Sequence, residues 1–243
     1  MFLQKPTSRR KFLLASLMAL PLTELVLKGL TAAEAAELAA PDLSTYQPHF
    51  FTAEEWKFIL AATDRLIPAG GQGKAPGALE TNVPIFIDQQ LHDPHFGKEI
   101  YMQGPFPANL PASLGYQIPY YPQQIYQLGI AAIDQWCQQQ HSKSFVQLSH
   151  TDQQQVLALA EKGTIPFAQR QDSASLTAAQ FFSQLLNDTK HGYLADPMYG
   201  GNKGMKAWIA IGFPGARASY LEWVKQHNVQ YPLGPVSIQS VQV

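Results

Sequence analysis

The chain has 243 residues, of which 46% are hydrophobic and only 14% charged, with a formal net charge of −1. That length and apolar content suffice for one well-buried domain and exclude wholesale disorder, while the near-neutral balance excludes nucleic-acid binding, which needs a basic footprint against phosphates. The single cysteine, Cys137, excludes an internal disulfide, a Cys-x-x-Cys-His haem attachment and an iron–sulfur cluster held by this chain alone.

Glutamine stands where charge is missing, as in Gln138-Gln139-Gln140 and Gln153-Gln154-Gln155. An amide-rich surface costs less to desolvate than a charged one and suits a lasting interface, although plain compositional bias accounts for it equally well.

The first element is an address. Residues 7–14 read Thr7-Ser8-Arg9-Arg10-Lys11-Phe12-Leu13-Leu14, and the apolar run Phe12–Leu22 follows. Adjacent Arg9 and Arg10 with Phe12 and Leu13 at this spacing make a twin-arginine (Tat) export signal. Pro21, Glu24 and Lys28 interrupt the apolar run, which falls short of the roughly 20 residues a membrane span needs. Small residues at Ala33-Glu34-Ala35 point to cleavage near Ala35; retention as an anchor is the alternative reading. Loss of residues 1–35 removes five basic and two acidic residues and leaves a net charge of −4. The Tat route carries folded proteins, usually because a cofactor is inserted first. A Tat signal on a chain without a cofactor motif implies that the Tat translocase moves a folded, cofactor-loaded partner with it.

Helical periodicity dominates the mature chain. Thr52-Ala53-Glu54-Glu55 is a capping box, and Trp56, Ile59, Leu60, Thr63, Leu66 and Ile67 follow on one face before Pro68. A loop over 68–78 leads to a second helix, about 82–92, that buries Val83, Phe86, Ile87 and Leu91. Residues 93–121 are rich in proline and aromatic residues, which predicts a long irregular excursion rather than paired strands. A third helix starts at Pro122 and runs to about Gln140, with Ile125, Leu128, Ala132, Ile133 and Trp136 inward and Cys137 as a small buried hydrophobe. A fourth, about 151–162, starts at Ser149 or Thr151 and stops at Gly163. A fifth, about 176–190, buries Phe181, Phe182, Leu185 and Leu186 and ends at His191-Gly192. A last helix is predicted over about 216–228, with Tyr220, Leu221 and Val224, before Pro232. The whole reads as an all-α, irregular helical domain of about six helices over 45–230, with one long loop and a low-polarity tail, 231–243, suited to lying along a neighbour.

No persuasive active site emerges. Asp88, His92, Asp93 and His95 come nearest to a metal set, but Pro94 ends the helix before His95 and no second ligand cluster is near in sequence. Tyr199-Gly200-Gly201-Asn202 lacks the spacing, the preceding strand and the Lys-hydroxyl pair of a phosphate loop, so its glycines read as turn formers.

Two segments together carry a resemblance. The first runs from Phe50-Phe51-Thr52 through Asp64-Arg65-Leu66-Ile67-Pro68, Pro76-Gly77-Ala78 and Val83-Pro84-Ile85-Phe86-Ile87-Asp88. The second is Gly192-Tyr193-Leu194-Ala195-Asp196-Pro197-Met198-Tyr199-Gly200-Gly201-Asn202, followed by Trp208 and Ile211-Gly212-Phe213-Pro214-Gly215-Ala216. In order and spacing they resemble the gluconate 2-dehydrogenase subunit 3 family over about residues 45–220. The resemblance implies a small subunit without a cofactor, paired with an FAD-containing subunit of the glucose–methanol–choline type and with a multihaem cytochrome c. The flavin oxidises a sugar or sugar acid, and haem c passes the electrons to quinone at the outer face of the cytoplasmic membrane. No catalytic residue comes with the resemblance. The candidates for partner contact are Asp196, Pro197, Tyr199, Gly200, Gly201, Asn202, Trp208, Gly212, Pro214 and Gly215; the same residues also suit a purely internal role. Two other readings stay open: a stand-alone periplasmic enzyme assisted by a metal at His92 and His95, and a scaffold anchored by an uncleaved N-terminal helix.

Overall fold

The computed structural model describes residues 40–70, 75–97, 102–107, 111–114, 118–169, 175–229 and 231–238. Among these residues the architecture is all-α, with six α-helices, short 3-10 turns and a single isolated parallel bridge between Gly215 and Val236. No described helix is long and apolar enough to cross a membrane.

Helix α1 spans Ala53–Leu66 and opens on the expected capping box. The Glu55 amide donates to Thr52 Oγ1 at 3.3 Å and the Thr52 amide donates to Glu55 Oε2 at 2.9 Å. A cap of this kind is worth about 1 kcal/mol to the helix. Its inward stripe holds Trp56, Ile59 and Thr63 as the spacing predicts, and Phe58 and Ala62 widen it. Helix α2, Val83–His92, buries Val83, Ile85, Ile87 and Leu91, while Phe86 is half-buried.

The stretch between α2 and α3 is irregular wherever it is described, holding only the 3-10 turn Ala112–Leu114. Ile118 and Tyr120 bring it back into the core. Helix α3, Pro122–His141, has proline at its first turn, and the Tyr121 amide donates to Gln124 Oε1 at 2.9 Å. Here the expected inward face needs correction. Ile125, Ile133 and Cys137 are buried, but the stripe passes through Tyr126, Gly129 and Ile130, and Leu128 is 47% exposed. The Phe181 ring sits against Gly129, where an added Cβ would lie 2.1 Å from it, and this close approach turns α3 away from Leu128.

Helix α4, His150–Glu161, is capped by Ser149, whose Oγ accepts from the Asp152 amide at 3.2 Å, and stops before Gly163 (φ 68°). Helix α5, Ala178–Leu194, is capped by Thr177 and buries Phe181, Phe182 and Leu185. It begins later than expected and runs through Gly192 rather than ending there. Gly192 is not a stop signal here: a Cβ would lie 2.8 Å from the Phe86 ring, so the glycine lets α2 close on α5. Helix α5 is the axis of the bundle and packs against α1, α2, α3 and α4.

Aromatic rings fill the centre. Phe58 lies 4.6 Å from Phe145 and Tyr126 meets Phe181 edge-on at 6.1 Å, centroid to centroid. Burying each such ring contributes on the order of 2 kcal/mol.

The helix expected over 216–228 does not form. Helix α6 lies earlier, at Lys206–Ile211, and beyond it there is only a 3-10 turn at Leu221–Trp223. Leu221 is 81% exposed and Val224 is exposed too, so among the described residues their helical spacing meets no surface to pack on. The segment is held by other means: Tyr220 donates to the Gly215 carbonyl at 2.8 Å, and both Tyr220 and Trp223 place rings on Tyr231, at 5.9 and 5.2 Å. The described part of the tail lies along this chain itself, with the Ala216 amide donating to the Val236 carbonyl at 2.7 Å and the Val236 amide to the Pro214 carbonyl at 3.2 Å.

Candidate partner interface

Two of the buried carboxylates, Asp88 and Asp188, lie in the helical body, and hydrogen bonds within the chain engage both. Asp88 lies on the inward face of α2 and accepts four hydrogen bonds: from the Tyr46 hydroxyl at 2.8 Å and from the amides of His49, Phe50 and Phe51 at 2.8 to 3.2 Å. It ties the segment before α1 to α2. His92 and His95 are exposed, and the His92 ring lies 5.3 Å from the His49 ring. Among the described residues no group of three or more His, Cys, Asp or Glu could hold a metal ion.

Asp188 on α5 accepts from the Tyr126 hydroxyl at 2.8 Å and from Gln184 Nε2 at 2.9 Å. Burial holds its carboxyl above the usual carboxylate range, against the opposing pull of those two donors. The sequence gives no hint of this pair, because Tyr126 and Asp188 are 62 residues apart. Burial, with the nearby Asp134 charge, pushes the Cys137 thiol up to about 12, which keeps it protonated and unreactive.

The ten candidate contact residues gather in a lobe built on the last turn of α5. Asp196 is buried and caps the turn Pro197–Tyr199: its Oδ1 accepts from the Met198 amide at 3.1 Å and its Oδ2 from the Ile238 amide at 2.8 Å. Gly200 takes φ 89°, a left-handed conformation open to glycine. Gly201 is buried where a Cβ would lie 2.2 Å from the Gly192 carbonyl oxygen, and this close approach lets the Asn202 amide reach that oxygen at 3.0 Å.

Asn202 is the latch of the lobe. Fully buried, it donates from Nδ2 to the Ala195 carbonyl at 3.0 Å and accepts at Oδ1 from the Ala207 amide at 2.9 Å. Trp208 is also buried, donates from Nε1 to the Leu194 carbonyl at 2.8 Å and meets Phe213 edge-on at 5.1 Å. Gly212 ends α6 at φ 72° and is exposed; Pro214 and Gly215 receive the tail through the Val236 contacts. Of the ten, Asp196, Gly201, Asn202, Trp208 and Gly215 are buried inside this chain, and Pro197, Gly200 and Pro214 are partly covered. Tyr199 and Gly212 face solvent. Arg9, Arg10, Phe12 and Leu13 lie outside the described residues.

A family model for gluconate 2-dehydrogenase subunit 3 matches residues 53–215, more than half of the chain. The chain belongs to the gluconate 2-dehydrogenase subunit 3 family. The match begins at the first residue of α1 and ends at Gly215, so it takes in all six helices and the turn-built lobe as far as that glycine. Comparison with curated proteins and with solved structures returned no match. Membership makes this chain a small subunit of a gluconate 2-dehydrogenase-type complex, with the other subunits of that complex as its partners.

Proposed function

We propose that this gluconate 2-dehydrogenase subunit 3 carries no redox chemistry of its own and serves to export and stabilise the flavoprotein subunit of its complex. FAD sits in a large subunit of the glucose–methanol–choline type, haem c in a multihaem cytochrome subunit, and the assembled complex works in the periplasm at the outer face of the cytoplasmic membrane. The Tat signal at Arg9-Arg10, with Phe12 and Leu13, takes this chain and its bound, flavin-loaded partner out together.

The observation that carries this reading is a twin-arginine pair on a member of this family whose buried acids are spent on structure. The four donors on Asp88 and the two on Asp188 hold the fold, and the lone thiol is buried and protonated at neutral pH. One thiol cannot supply the two thioether bonds of a c-type haem, which fits haem being held by another subunit.

Co-expression of the large subunit with and without this chain tests the reading. The expected result is periplasmic FAD-dependent dehydrogenase activity only when both are present. Equal activity in the two cases would contradict it.

A further inference from the structure

Exposed apolar residues are unevenly spread over the molecule. Among the described residues, three large hydrophobic side chains are exposed before Leu194, namely Leu114, Tyr121 and Leu128, and eleven from Leu194 onward. The densest run is Ile209-Ala210-Ile211-Gly212-Phe213, in which every residue faces solvent and none is charged. Trp208 links this run to Leu194 through its indole hydrogen bond and its contact with Phe213. Asp196 links Met198 to Ile238 through their two amides. Exposed apolar groups gathered this way on a soluble surface mark a contact site.

Charge divides along the same line. Residues 195–243 hold four bases (Lys203, Lys206, Arg217 and Lys225) against two acids, and one of those acids, Asp196, is buried. Residues 36–194 hold eight bases against fourteen acids. The apolar surface is thus set in a weakly basic lobe on an acidic body.

We infer that Leu194, Met198, Ile209, Ile211, Phe213 and Ile238 form the docking surface for the large subunit of the complex, through a face of that subunit that is apolar at its centre and acidic at its rim. The inference rests on the proposed accessory role and adds to it the place and the chemistry of the contact. An interface core is apolar and depleted of charge while its rim is polar, and complementary rim charge steers association. A second copy meeting this one about a two-fold axis would set basic lobe against basic lobe. An anionic bilayer would satisfy the charge, but a helix that lies in the membrane interface does so with one long, continuous apolar face. Here the surface is made of turns around α6, which has only six residues. A shaped surface of turns fits another protein surface better than a plane.

The buried residues Asp196, Gly201, Asn202 and Trp208 therefore build the surface, and their exposed neighbours make the contact. The test is copurification and titration of the full chain with its co-expressed large subunit. Ile209→Ser with Ile211→Ser should weaken binding by about 30-fold or more, the loss expected on truncating central apolar anchors, with the helical spectrum and melting of the free chain unchanged. Leu128→Ser, on the exposed side of α3, should bind as the parent does. Lys225→Glu should weaken association most at low salt. Wild-type binding to the large subunit with no loss in the double variant would overturn the docking surface and leave the accessory role standing. No wild-type binding at all would overturn both. Flotation of the free chain with phosphatidylethanolamine–phosphatidylglycerol vesicles, lost in the double variant, or a dimer of the free chain lost in that variant, would overturn the assignment in favour of a membrane or a second copy.

Discussion

The helical body and the C-terminal lobe are held together by different physics. In the body, helices α1 to α5 and the 3-10 turn Phe145–Gln147 interlock Phe58, Phe145, Tyr126 and Phe181, and two buried carboxylates gather donors from distant parts of the chain. In the lobe, helix α6 is short and the backbone is turned by Asp196, Asn202 and glycines, with most large apolar side chains left outside. The body spends its apolar residues on its own stability; the lobe spends polar side chains on its shape and leaves apolar ones available. A region built this way suits contact with another molecule better than independent cohesion.

The largest effect should come from the keystone of the body. Asp88→Ala leaves the Tyr46 hydroxyl and three amides without their acceptor, and each buried donor stranded in this way costs about 1–3 kcal/mol unless water reaches it. A net loss of about 4 kcal/mol in urea unfolding, spread over the whole chain, is expected. A smaller loss, confined to the segment before α1, would show that this region is not part of the body's cooperative unit.

Asn202→Ala removes both side-chain bonds of the latch and should cost about 2 kcal/mol, localised to the lobe. Hydrogen exchange reads the comparison directly: amides of 203–216 should lose protection while those of α1 and α5 keep theirs. Loss of protection throughout would mean that body and lobe unfold as one.

The third effect depends on pH. Asp188 has a folded-state pKa raised above its unfolded value, so the folded chain binds the extra proton and stability falls as pH rises between the two values. Asp188→Asn can still accept from Tyr126 but cannot ionise. Its stability relative to the parent should therefore rise as pH is raised through the window just above the ordinary carboxylate value of 3.8 and level off beyond it. A difference that is flat with pH would contradict a raised pKa.

The smallest effect belongs to the exposed run. Ile211→Ser should change the stability of the free chain by no more than about 0.5 kcal/mol, since Ile211 is 61% exposed. A larger loss would mean that the surface is covered by this chain itself.

The same division decides how much of the molecule can be read from sequence. Capping boxes and helical stripes are local, and Thr52–Glu55, Pro122, Ser149 and Gly163 mark true boundaries in the structure. The phase of α3 is not local: it is set by Phe181 lying against Gly129, across 52 residues of chain. Tyr220, Leu221 and Val224 have helical spacing, yet among the described residues no neighbouring surface covers Leu221 or Val224, and ring contacts with Tyr231 hold the segment instead. The glycines of the lobe are legible as turn formers; that Gly201 lies against the carbonyl of Gly192 is visible only once α5 runs through that residue. Part of the resembling segment is legible because its turns need particular residues, Gly200 at φ 89° and Gly201 against the Gly192 carbonyl, whereas the exposed residues beside them carry no pattern that separates contact from chance.

Under the proposed function, this chain carries the export signal for a partner that holds the flavin. The most direct measurement is cell fractionation after Arg9→Lys and Arg10→Lys in this chain alone, followed by immunodetection of both proteins. Joint disappearance of this chain and the large subunit from the periplasm is the predicted result. A large subunit that still reaches the periplasm while this chain stays in the cytoplasm would contradict the account.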